Sequence, residues 1–196
     1  MPMRSATRPR AVGVLAAGVV LAVLVSGAGR PAAQTDAARQ QESERAFARI
    51  AEVLRHPRCM NCHPTGEFPR QTDDRHRHRM LVARGADDRG TPVMRCTTCH
   101  QSVNTADGRV PGAPHWHLAP RSMGWEGLSD GDLCRAVKDP NRNGGRSVEA
   151  IVKHMTTDAL VQWAWNPGPR TLPPLSQSEF HQAVQQWAAA GAACPR

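Results

Sequence analysis

The sequence has no tyrosine, only three phenylalanines in 196 residues, and no lysine-rich run. Glycine and proline, 16 of each, are far commoner than those rings. A chain so rich in turn formers and so poor in large apolar side chains is short of core, and such chains borrow core from a cofactor or a cross-link. No sustained β alternation occurs, which leaves a mainly α, loop-rich domain as the expected fold class. The missing basic, aromatic-interleaved patch excludes nucleic-acid binding. The formal charge of +8 does not restore it, because Arg4, Arg8, Arg10 and Arg30 lie in an acid-free N-terminal stretch. Removing those four leaves 21 basic against 17 acidic residues over 34–196.

That N-terminal stretch has the form of an export leader. MPMRSATRPR is followed by AVGVLAAGVVLAVLVSGAG, uncharged throughout, and Ser26-Gly27-Ala28 suits a signal peptidase. Residues 1–33 therefore read as a signal peptide, with a retained N-terminal membrane anchor as the alternative, since the apolar run is long enough to span. There is no twin arginine, so export of an unfolded chain to the periplasm is expected. Residues 34–196 form the remaining domain.

Six cysteines are present, and four fall in two copies of one pattern: Cys59-Met60-Asn61-Cys62-His63 and Cys96-Thr97-Thr98-Cys99-His100. C-x-x-C-H is the attachment signature of c-type haem. Two thiols form thioethers with the two vinyl groups of one porphyrin, and the next residue directs its imidazole at the iron. Two other uses of such cysteines stay open: one zinc held by all four, or a thiol–disulfide centre. Zinc gives no reason for a histidine after each pair, and no βαβ pattern accompanies a redox dithiol. The expectation is two covalent haems on Cys59, Cys62, His63, Cys96, Cys99 and His100, with His63 and His100 as proximal iron ligands. Cys134 and Cys194 are left over, and in an exported chain they are expected to form a disulfide, the alternative being two buried thiols.

The chain resembles the dihaem c-type cytochromes of the bacterial periplasm. HPRCMNCHP, DDRHRH, CTTCH, WHLAP, KDPNRNGGR, DALVQWAWNPG and GAACP are similar to small exported proteins named as isoquinoline 1-oxidoreductase-type cytochrome subunits. The similarity spans most of residues 50–196. It implies a cytochrome c-like single domain organised around two haems, and electron transfer to redox protein partners. It also implies a place as electron-accepting subunit beside a molybdenum hydroxylase or other dehydrogenase.

The distal ligands are less legible. His78 and His117 are the leading candidates, with His76, His154 and Met123 as alternates; His117 matches the resembling WHLAP pattern. Histidine is more abundant than methionine in late-loop positions, which favours at least one bis-histidine haem, of lower potential than a His/Met one. Were one iron open, the protein would be a peroxidase-like dihaem enzyme or a haem-based sensor, with His76 or His78 as distal acid–base group. Arg70, Arg75, Arg77 and Arg79 surround these histidines, either as partners for haem propionates, as a docking face, or as a solvated loop. Trp116, Trp125, Trp163, Trp165 and Trp187 suit either porphyrin faces or core.

Helical signals frame these motifs. Phe47, Ile50, Ala51 and Leu54 share one face of a helix expected over 36–56, ended by Pro57. Residues 64–95 and 101–128 look irregular. Ser129-x-x-Asp132 opens a short helix through Cys134 and Val137 to Asp139-Pro140. Ser147 caps a helix carrying Ile151, Val152 and Met155, which the apolar pattern continues to Trp165. Ser176-x-x-Glu179 is a capping box for a helix to about Ala190, with Phe180, Val184 and Trp187 on one face.

Overall fold

A computed structural model describes residues 32–196, with side chains from residue 35; nearly all of the expected leader lies outside the described residues. Among them the chain is mainly helical. Among the described residues no helix is long and apolar enough to cross a membrane.

The first helix, α1 (Ala32–Leu54), stops two residues short of the expected end, and His56 then accepts the Arg58 N–H to cap a single turn, α2 (Pro57–Met60). Pro57 sits at the first position of that turn, where its missing N–H costs nothing. The stripe read from the sequence is the buried face: Phe47, Ile50, Ala51 and Leu54 are all buried. It packs on α7 (Gln177–Ala189), whose Phe180, Val184 and Trp187 are equally buried. Ser43 pins the pair, donating to Trp187 O at 2.9 Å and accepting the Ala193 N–H at 2.8 Å. The capping box forms, with Ser176 and Glu179 bonding reciprocally.

Against this pair lie α3 (Asp130–Lys138), the turn α4 (Pro140–Asn143) and α5 (Val148–Thr157), capped by Ser129, Asp139 and Ser147. The expected continuation of α5 to Trp165 is corrected. Asp158 ends α5 and caps a new turn, α6 (Ala159–Gln162), by accepting the Leu160 and Val161 N–H groups. A short carboxylate that satisfies two orphan donors restarts the helix in a new direction.

The long segments expected to be irregular contain two minimal antiparallel ladders. β1 (Arg70–Gln71) pairs with β2 (His76–Arg77), and β3 (Gly90–Thr91) with β4 (Met94–Arg95). Gly90 has φ +89, and a Cβ there would meet Met94 O at 2.4 Å, so the second hairpin requires glycine at this position. Cys134 and Cys194 are joined in a disulfide with Cα atoms 5.5 Å apart, fastening the C-terminal tail to α3.

Candidate functional site

Each C-x-x-C-H motif opens its own cavity. The first motif follows directly from α1 and is wound into α2, so Cys59, Cys62 and His63 face inward from a rigid helix end. They line a cavity of about 150 Å³ between walls that also include Leu54, Val137, Ile151, Met155 and Phe180 from four helices. The second motif is a 3-10 turn, Cys96–Thr98, entered from β4. Cys96, Cys99 and His100 line a larger cavity of about 450 Å³, walled by the two ladders and the loops around them. Arg58, Cys62, His117 and Trp163 belong to both walls, so the cavities share a partition.

The two proximal candidates are held alike. His63 directs Nδ1 at Met123 O (2.8 Å), and His100 directs Nδ1 at Pro111 O (2.7 Å). A carbonyl at Nδ1 makes that nitrogen the protonated one and leaves Nε2 a free lone pair, the arrangement a metal-binding imidazole needs. Each ring is also stacked on an indole. Trp125 lies 3.4 Å from His63 at 13°, and Trp116 lies 4.5 Å from His100 at 8°. Burial pushes the His63 imidazole down to about 3, the Met123 carbonyl opposing it; His100 is lowered for the same reason. Both rings are therefore neutral at pH 7. Burial likewise pushes the Cys59 thiol up to about 12 and Cys62 to about 11. All four motif cysteines are unpaired.

The distal candidates separate clearly. His78 faces His100, with ring centres 6.1 Å apart and planes at 75°. With about 2 Å from metal to each nitrogen and about 1 Å more to each ring centre, two imidazoles on opposite sides of one iron put their centres roughly 6 Å apart. His78 is anchored through Nδ1 at Arg79 O (2.6 Å), again leaving Nε2 free. His76 lines neither cavity; its Nδ1 meets Asp74 at 2.7 Å and the Thr72 hydroxyl at 3.2 Å. His117 stands in the shared partition, tied through Nδ1 to His115 O. His154 lines the first cavity, with Nδ1 3.4 Å from Asp158. Burial lowers its imidazole, the Asp158 charge opposing. Met123 lines that cavity too, but its carbonyl lies behind His63, at the ring edge away from Nε2.

The arginines are distributed unevenly. Arg58, Arg70, Arg79, Arg95, Arg109 and Arg170 line the second cavity, which has no Asp or Glu in its wall. The first has Arg58 and Arg146 against Asp158. Of the four arginines singled out in the sequence, Arg70 and Arg75 converge on Glu126, and Arg77 covers the Phe68 ring at 3.3 Å. Arg79 alone of the four combines a place in a cavity wall with freedom from a carboxylate partner. Four of the five tryptophans line or brace the cavities; Trp187 is core, 5.5 Å from Phe47.

The sequence reading missed Arg58. Its side chain is 1% exposed, pairs with Asp73, and leaves a buried Nε with no hydrogen-bond partner. A signal was available: an arginine directly precedes each motif, Arg58 before Cys59 and Arg95 before Cys96.

Among the described residues no three His, Cys, Asp or Glu side chains gather as a metal-binding group. A haem iron asks for none, because the macrocycle supplies four of its six donors. The residues present fit such a group: paired thiols beside an Nε2 lone pair, an apolar cavity beyond, and guanidinium groups for carboxylates. No family model, no curated protein and no solved structure matches the chain.

Proposed function

We propose that the protein is an exported dihaem c-type cytochrome that passes single electrons between redox partners. One observation carries this reading: each C-x-x-C-H motif faces a separate cavity with a neutral, Nδ1-anchored imidazole. In the second cavity the His78 and His100 rings lie 6.1 Å apart, so both could hold one iron. Cys59 and Cys62 would hold one haem and Cys96 and Cys99 the other, with His63 and His100 as proximal ligands. His78 would complete the second site. His117 or His154 would complete the first.

Bound haem supplies a one-electron iron couple; the chain sets its potential, exposure and spacing. The Met123 and Pro111 carbonyls fix the imidazole tautomer, and Trp125 and Trp116 fix the ring planes. Apolar walls exclude water and so favour the less charged state of the site. Because Arg58, Cys62, His117 and Trp163 line both cavities, haems held there would be neighbours, which supports electron exchange within one chain. The periplasm is the proposed location, and a molybdenum hydroxylase or other dehydrogenase the proposed donor, as the sequence resemblance implies.

A second reading has one observation in its favour. His154 beside Asp158 is an imidazole oriented by a carboxylate, the form of an acid–base group. With the first iron open, that pair would serve a peroxidase-like enzyme or a gas sensor. Absorption spectra of protein matured with haem-attachment machinery, with and without carbon monoxide, separate the two. Two haems per chain, low-spin and unmoved by CO, support the carrier. CO binding at one haem favours the enzyme or sensor, and colourless protein overturns both.

A further inference from the structure

Arg58 is a buried guanidinium that both cavities share. It immediately precedes Cys59, lies in the wall of both cavities, and is 1% exposed at its side chain. Asp73 takes one terminal nitrogen, while Nε is buried without a partner. An isolated guanidinium would be costly to bury. The countercharge sits on the outer side: Asp73 is 44% exposed and also accepts the Thr171 N–H at 3.3 Å. The pair is thus oriented, its positive end in the protein interior and its negative end toward water, where it is better screened. Both motifs therefore face the cationic end of one ion pair.

The same pair ties the first motif to the second site. Asp73 belongs to the turn between β1 and β2, and that hairpin leads directly to His78, opposite His100. Asn61, inside the first motif, holds the hairpin as well, donating to Thr72 O at 2.9 Å. Arg95, the corresponding residue of the second motif, differs in every respect. Its side chain is 36% exposed, both terminal nitrogens reach Asp87, and it lines the second cavity only.

We propose that Arg58 is a positioning residue shared by the two haem sites, a single buried charge that raises the reduction potential of both. A positive charge nearby disfavours the ferric state, which carries one more positive charge than the ferrous. At an effective dielectric near 20, a unit charge roughly 10 Å away shifts such an equilibrium about tenfold. Tenfold is about 59 mV for a one-electron couple. This inference rests on the dihaem reading, and adds to it that the potentials are electrostatically linked.

The test is a spectroelectrochemical titration of the haem-loaded protein that resolves two one-electron waves. Arg58→Gln is expected to lower both midpoints by about 59 mV, the tenfold change in reduced-to-oxidised ratio. Arg58→Lys, which keeps the charge, should stay near the wild-type values. Arg95→Gln should shift no more than the second-site wave. A shift of only one wave in Arg58→Gln, or none, overturns the proposal, as does an equal fall in Arg58→Lys. Should Arg58→Gln yield no loaded protein, Asp73→Asn removes the countercharge and must raise both midpoints; unchanged midpoints there overturn it too. Wild-type protein with two waves that ignore Arg58 sinks this inference alone, whereas colourless wild-type protein sinks the dihaem reading with it.

Discussion

His78→Ala should open one iron and leave the other closed. The His78 and His100 ring centres are 6.1 Å apart, so their Nε2 atoms can lie about 4 Å apart, the span of a metal with two axial nitrogens. Both imidazoles are held through Nδ1, which leaves each Nε2 free to bind. Alanine removes the ring and would free one coordination position in the larger cavity. Methionines 80 and 94 line the same cavity, but Met80 is 70% exposed at a surface turn. The expected reading is therefore binary: half of the haem becomes high-spin and binds one CO per chain, and the other half keeps its low-spin spectrum. His76→Ala is the matched control, two residues away and outside both cavities, and should leave the spectrum alone. CO titration followed by absorption, with haem content from the pyridine derivative, gives the stoichiometry. A fully low-spin, CO-silent His78→Ala protein would refute the pairing of His78 with His100.

Further outcomes follow from the scaffold. Replacing both Cys134 and Cys194 by alanine releases a loop with a sequence separation of 60 and should cost about 4 kcal/mol in denaturant unfolding; a loss below about 1 kcal/mol would mean that the tail is held by its hydrogen bonds alone. Trp187→Ala empties a fully buried site between α1 and α7 and removes the indole bond to Ala193 O (3.1 Å), for an expected loss of about 3–5 kcal/mol, read by urea midpoint. The chain without haem should be acid-sensitive. His63 folds with its imidazole at about 3, against about 6.5 unfolded, so between those values the unfolded state binds more protons. Its contribution is present above pH 6.5 and is lost as the pH falls toward 3, by at most about 1.4 kcal/mol per unit. His100 and His154 are lowered as well and act in the same direction. Melting temperatures at pH 7 and 5 should show the slope without haem and a much smaller one with it; equal slopes would contradict the assignment of His63.

What could be read in advance has a short physical range. The buried stripe of α1 and the caps at Ser129, Ser147 and Ser176 depend on residues within one or two turns of each other, and all appear as expected. The Cys134–Cys194 disulfide was legible by elimination, once four cysteines had been set aside. The break at Asp158 was not, because an unbroken apolar pattern across 151–165 outweighed one capping carboxylate. Two-residue ladders have no period to detect. His78 was legible as a distal candidate, but nothing in the sequence said which motif it would face; it lies beside His100 of the second. Its loop is carried there by the β1–β2 hairpin, and the ladder ends at Arg77, which parts His78 from His76. Arg58 went unnoticed because composition says nothing of burial.

The disulfide has a consequence for how the chain comes to be made. Six thiols allow fifteen different single cross-links, and the chain forms one of them, while the other four sulfurs are free, as the proposed haem attachment requires. Loop closure favours neighbours, so Cys59 with Cys62 and Cys96 with Cys99 oxidise more readily than two residues 60 apart. The required product is the kinetically disfavoured one. In the proposed periplasmic protein, a compartment that oxidises thiols would also have to deliver electrons back to the two short pairs, whereas the long bond is shielded from a reductant on its Cys134 side, which folding buries completely.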